Sequence, residues 1–152
     1  MVLNRGMDVR CKLIPAVISL ALACGSAHAD FESQYADWQA MSDNARAYYV
    51  QGLFDGEQNS AALGEPNWVT ALRSGLSECA TAQHLTAVLI GQAMTRHYET
   101  YAADWQFSPA MIYSRTLNEI CMTYINNKRR VVGLNDWETP SGSISSVLNR
   151  GK

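Results

Sequence analysis

The 152-residue chain has no run of the roughly 20 apolar residues that a bilayer-spanning helix requires. It also lacks a surplus of charge of one sign, since twelve Lys and Arg stand against fourteen Asp and Glu, a formal net charge of −2. Nucleic acid, whose phosphates call for a basic patch, is therefore not an expected partner. The familiar catalytic signatures are missing as well: there is no Gly-x-Ser-x-Gly elbow, no glycine-rich phosphate loop, no Cys-x-x-Cys and no His-Glu-x-x-His. Histidine is scarce. His84 and His97, placed on one helix thirteen residues apart, would point in different directions, so no zinc site is expected. A haem held by His97 with Met41 or Met122 is the formal alternative in a helical bundle; two ordinary surface or half-buried histidines are the simpler reading. No catalytic residue, metal or cofactor is assigned, and the chain reads as a binding protein and not as an enzyme.

What is present begins with a leader. Arg5, Arg10 and Lys12 precede an apolar stretch from Leu13 to Ala23, which is followed by small residues and Ala27-His28-Ala29. That order is a secretory signal peptide over residues 1–29, cleaved near Ala29. Cys24 raises lipid attachment as an alternative, although it follows Ala21-Leu22-Ala23, in which the leucine sits one place later than a lipid box usually has it. Cleavage leaves residues 30–152, a length that suits one domain. Because the leader holds three basic residues and one acidic residue, the mature charge is −4. Cys11 and Cys24 leave with the leader. Cys79 and Cys121 remain as an even pair in an oxidising space, and one disulfide is the simplest consequence. Two free thiols or a metal pair form the competing arrangement, which lacks supporting histidine spacing.

The apolar periodicity of the mature chain is helical throughout, which predicts an all-α bundle of about four to five helices over residues 30–132. Phe31, Tyr35, Trp38 and Met41 mark a short lead-in helix. Ser42 offers a cap for a first main helix through Ala45, Tyr48, Tyr49, Gly52, Leu53 and Gly56. Gly52 and Gly56 lie on one face, where a neighbouring helix or ring is expected to approach the backbone; Gly56 has the simpler reading of a helix end. The stretch from Glu57 to Glu78, broken by Gly64, Pro66 and Gly75, predicts a loop with one short helix near Trp68. A second main helix is expected from a Thr81 cap, with Leu85, Val88, Leu89, Gln92, Thr95 and Tyr98 on successive turns. Ser108-Pro109 signals the start of a third, with Ala110, Tyr113, Leu117, Ile120, Cys121 and Tyr124 inward and Lys128, Arg129 and Arg130 at its negative end. An unbroken helix from Cys79 to Tyr101 would be about 33 Å long against about 18 Å from Pro109 to Cys121. Bridging the cysteines therefore needs an early helix end near His97, Cys79 in a loop that folds back, or helices that cross at a steep angle, with a combination of the first two favoured. Residues 133–152, rich in Ser and Gly, predict a flexible tail in which Trp137 docks on the bundle.

An exported chain of this size with Ala45-Arg46-Ala47-Tyr48-Tyr49-Val50-Gln51-Gly52-Leu53-Phe54-Asp55-Gly56, a lone Cys79, a Ser-Pro-started helix and Cys121 resembles the Rap/Tai family of immunity proteins. The resemblance spans roughly Ser42 to Tyr124 and is most recognisable at Tyr49, Gly52 and Gly56. The chain departs from the family in having Ala80 after Cys79 and Glu119-Ile120 before Cys121, where the family carries prolines. The resemblance implies a periplasmic protein that neutralises a peptidoglycan amidase effector of a type VI secretion system, on a helical fold related to the acid chaperone HdeA. It further implies inhibition by a protruding loop that enters the amidase cleft. The best match for that loop is Glu99 to Phe107, with Glu99, Tyr101, Asp104 and Trp105 as the partner-binding candidates and covering of the core end as the plainer role of its aromatics. Two other readings belong to different classes: an acid-activated chaperone of the HdeA kind, and a small-ligand or haem-binding bundle. A second copy of the chain is a further candidate partner.

Overall fold

The computed structural model describes residues 34–60 and 63–149, so the expected leader, Phe31 and the last three residues lie outside the described part. Six α-helices and no strand occur among the described residues: α1 (Tyr35–Ala40), α2 (Asp43–Asn59), α3 (Asn67–Ala82), α4 (Ala87–Thr100), α5 (Pro109–Val131) and α6 (Ile144–Asn149). A 3₁₀ turn at Ala102–Asp104 lies between α4 and α5. The domain is all-α, and no described helix is long and apolar enough to cross a membrane.

Local chemistry sets several of the helix starts. Ser42 accepts the amide of Ala45 at the head of α2, and Ser108 accepts that of Met111 at the head of α5, where Pro109 occupies a position that needs no donor. Lys128, Arg129 and Arg130 fall in the last turn of α5, against its negative end. These agree with expectation.

The middle of the chain differs from it. Residues 67–82 form one 16-residue helix, not a loop with a short helix, and Cys79 sits in its last turn. Thr81 belongs to this helix; the hydroxyl that caps α4 is that of Thr86, which accepts the amide of Leu89. Between the two helices His84 takes a left-handed conformation with φ of 51°, so the chain reverses within a few residues. His84 and His97 thus belong to different elements. The disulfide between Cys79 and Cys121 therefore staples α3 to the middle of α5, with the Cα atoms 5.5 Å apart. Neither an early end of the later helix nor a folded-back loop is needed, because the disulfide partner of α5 is α3, the helix before α4.

Close packing of small residues accounts for the broken apolar period of α3. The helix lies against α5 through Ala71, Gly75 and Cys79, small residues spaced every four along one face. A Cβ on Gly75 would come within 2.5 Å of the Ile125 Cα and 2.8 Å of its backbone nitrogen, so the two helix backbones are in direct contact there. Gly75 reads in sequence as an interruption and is in fact the point of closest approach. The glycines expected to serve that purpose do not: a Cβ on Gly52 or Gly56 meets nothing within 4 Å, both are exposed, and α2 runs past Gly56 to Asn59.

The core gathers Trp38, Val50, Leu76, Ile90, Met94, Tyr98, Ile112, Leu117 and Ile125 around the disulfide. On α4 the buried face is Ile90, Gly91, Met94 and Tyr98, while Val88 and Leu89, expected inside, are half exposed. The C-terminal segment is held, not free, as far as Asn149. Asn126 exchanges two hydrogen bonds with the Trp137 backbone, of 2.9 and 2.8 Å, and the Arg129 guanidinium lies 4.0 Å from the Trp137 ring centroid. Arg115 reaches the Gly142 carbonyl at 2.8 Å, and Ile144 packs on the core.

Candidate functional site

The connection from α4 to α5 is short, and nearly every polar group in it is engaged. Asp104 is fully buried. Its carboxylate takes the Nε2 of His97 at 2.8 Å, the Ile144 amide at 2.7 Å and the Ser145 amide at 3.0 Å, so one side chain joins α4, the 3₁₀ turn and α6. Burial by itself would raise the Asp104 pKa. The Ser145 and Ile144 amides, the His97 ring and the Ser145 hydroxyl outweigh it, and the carboxyl is held below the usual range. Ser145 Oγ also donates to the Ala103 carbonyl at 2.9 Å.

On this fixed turn stands an aromatic stack. Tyr35 lies between Tyr98, with ring centroids 4.7 Å apart, and Trp105, at 5.2 Å. The Tyr35 amide donates to the Trp105 carbonyl at 3.0 Å, and the Trp105 indole donates to the Tyr98 carbonyl at 2.9 Å. Tyr98 in turn donates its hydroxyl to the Phe107 carbonyl at 2.8 Å, and burial pushes its pKa up. Trp105 nevertheless keeps 49 % of its surface exposed. It is an anchored ring with one open side.

The four partner-binding candidates separate accordingly. Trp105 and Glu99 are exposed, and Tyr101 is half-buried with its ring 4.9 Å from that of His97. Asp104 is a correction: its oxygens face inward onto amides and a histidine, so it cannot be offered to a partner, and its role is to hold the turn. His97, expected as an ordinary or haem-directed residue, is tied to Asp104. Sequence reasoning missed Tyr35, which supports Trp105 from 70 residues away in the chain, and Ser145. No short-range pattern marks either contact. Among the described residues no group of three or more His, Cys, Asp or Glu side chains is placed to hold a metal ion.

Compared with protein-family models, curated proteins and solved structures, the chain matches none.

Proposed function

We propose that the protein is an exported binding protein that inhibits a peptidoglycan amidase effector of a type VI secretion system in the periplasm, with the α4–α5 turn as its contact edge. The observation that carries this reading is Trp105, half exposed and yet fixed by stacking on Tyr35 and by its indole hydrogen bond to Tyr98. A ring held in place before binding contributes buried area without the entropy loss of ordering a mobile side chain, which is how aromatic anchors dominate protein interfaces. Tyr101, at the start of the turn, and Glu99, in the last turn of α4, supply a polar rim. The disulfide fixes the middle of α5, the helix that follows the turn, against α3. The four residues of the turn core, Asp104 included, divide the labour: one holds the shape while the others meet the partner.

The test is enzymatic. A cysteine amidase encoded beside the gene is assayed on peptidoglycan while the purified protein is titrated in. Inhibition that is complete near one equivalent is expected, and Trp105→Ala is expected to weaken it by about 2 kcal/mol or more, roughly thirtyfold, while leaving the far-UV spectrum unchanged. Full amidase activity at a tenfold excess, or an unaltered inhibition curve for the variant, would remove this reading.

A further inference from the structure

We infer that residues 134–149 form an autoinhibitory strap over a basic groove on α5, and that the groove takes an extended acidic segment of a partner protein once the strap swings away. The strap runs back along the helix it follows. Arg129 donates Nε to the Asn135 carbonyl at 2.8 Å, Asn126 exchanges two hydrogen bonds with the Trp137 backbone, and Arg115 donates to the Gly142 carbonyl. Arg115 and Arg129 lie fourteen residues apart, about 21 Å along one face of the helix. The seven residues from Asn135 to Gly142 cover that distance only when nearly extended. All of these hydrogen bonds go to the strap's main chain. Apart from the Trp137 ring over Arg129, the groove therefore holds an extended backbone and not a particular set of side chains.

Charge then names the class of partner. Arg115 and Arg129 are only 8 % and 7 % exposed, and neither enters an ion pair among the described residues. Arg115 Nε and Arg129 Nη1 have no hydrogen-bond partner in the protein. A guanidinium taken out of water is costly unless a carboxylate meets it, and the strap offers these two only carbonyls. Its own acids are elsewhere: Asp136 pairs with Arg130, and Glu138 is exposed. An incoming segment with carboxylates in place of those carbonyls meets both arginines with charge-assisted, forked hydrogen bonds. The strap is also built to leave. Gly133 at its root takes a left-handed φ of 76° with open space around it, and Trp137 and Ile144 pack against the core while Val147 and Leu148 stand exposed. Trp105, the anchor proposed above, takes no part in this groove.

The experiment is an amide-resolved NMR titration of the full chain with acetyl-octaglutamate amide and, in parallel, with acetyl-octaglutamine amide, which has the same backbone without the charges. Hydrogen exchange is read at the Trp137, Ile144 and Ser145 amides. Saturable shifts at Asn126 and faster exchange at those three amides are expected with the first peptide and not with the second. Asp104→Asn, which weakens the anchor of α6 and leaves both arginines in place, should tighten binding about tenfold, because the open form is then more populated. In that background Arg115→Gln should weaken binding about tenfold, the loss of one charge-assisted hydrogen bond, and Arg115→Lys should weaken it less. Peptide binding that leaves the strap amides protected would put the peptide on the surface charges of Lys128 and Arg130 and overturn the assignment. Equal binding of the glutamine peptide, unchanged affinity in Arg115→Gln, or no saturable shift even in Asp104→Asn would each do the same.

Discussion

Gly75 has no room for a side chain, and Gly52 and Gly56 have room to spare. The three glycines lie in helix interiors, where glycine costs about 0.5–1 kcal/mol relative to alanine, so each needs a reason to be there. Only Gly75 shows one, the contact of its Cα face with the Ile125 backbone. Gly75→Ala is therefore expected to force α3 and α5 apart and destabilise the fold by about 1–3 kcal/mol or more, as overpacking does. Gly52→Ala and Gly56→Ala are expected to stabilise it by up to about 1 kcal/mol each. Urea midpoints of the three variants decide the matter, and a stabilised Gly75→Ala would show that the backbones are not in contact. A pair of glycines four apart in a clear helical pattern draws attention in sequence; a lone glycine between Ser74 and Leu76 does not. The row Ala71, Gly75, Cys79 was the available signal.

At the scale of an element, α6 and the strand of chain leading to it are held by groups far away in sequence. Asp104 is the centre of this attachment, and the charged and titratable groups that face it are His97 and Tyr98 on α4, with the Ser145 hydroxyl on α6. Because its pKa is depressed in the folded protein, the stabilisation it supplies is present above the unfolded value of about 3.9 and is lost as pH falls through the folded value. The expected outcome is that α6 stays docked at neutral pH and detaches in acid before the bundle melts. Glu57 works in the opposite direction: burial raises its pKa against the opposing Tyr113 hydrogen bond and Arg73 charge, so its contribution favours the folded state in acid and falls as pH rises. Global stability would mix the two. Amide exchange at Ile144 and Ser145 isolates the first, and Asp104→Asn should speed that exchange already at neutral pH. Protection of these two amides that is unchanged in Asp104→Asn would mean that the carboxylate is not what holds the helix.

For the whole molecule the disulfide is the main covalent constraint. It closes a loop over a sequence separation of 42 and joins the two most extensively packed helices. In the chain-entropy account, closing a loop of that length removes about 4 kcal/mol of disorder from the unfolded chain. That is a large part of the 5–15 kcal/mol on which a small domain typically rests. Cys79→Ser with Cys121→Ser is expected to lower the unfolding free energy by about 2–4 kcal/mol, read from chemical denaturation of the variant beside the oxidised protein. A variant as stable as the parent would place the burden on α3–α5 packing alone.

The caps at Ser42 and Ser108, the proline at the head of α5, its basic last turn and the pairing of Cys79 with Cys121 were all determined by the sequence alone. Caps and helix-end charges are legible because the interacting groups lie within one turn of each other, and the cysteines because the expected leader would take Cys11 and Cys24 with it. Apart from the disulfide and the docking of Trp137, the contacts between distant positions were decided by tertiary structure. It set α3 as the disulfide's first helix, turned Ile90 and Met94 inward in place of Val88 and Leu89, and placed Tyr35 under Trp105. It also turned Asp104 from a surface acceptor into a buried one, because two amides 40 and 41 residues away came within reach. Helical periodicity specifies that a face is apolar, but which side of a helix wins the core depends on the shapes of neighbours that only the folded chain brings together.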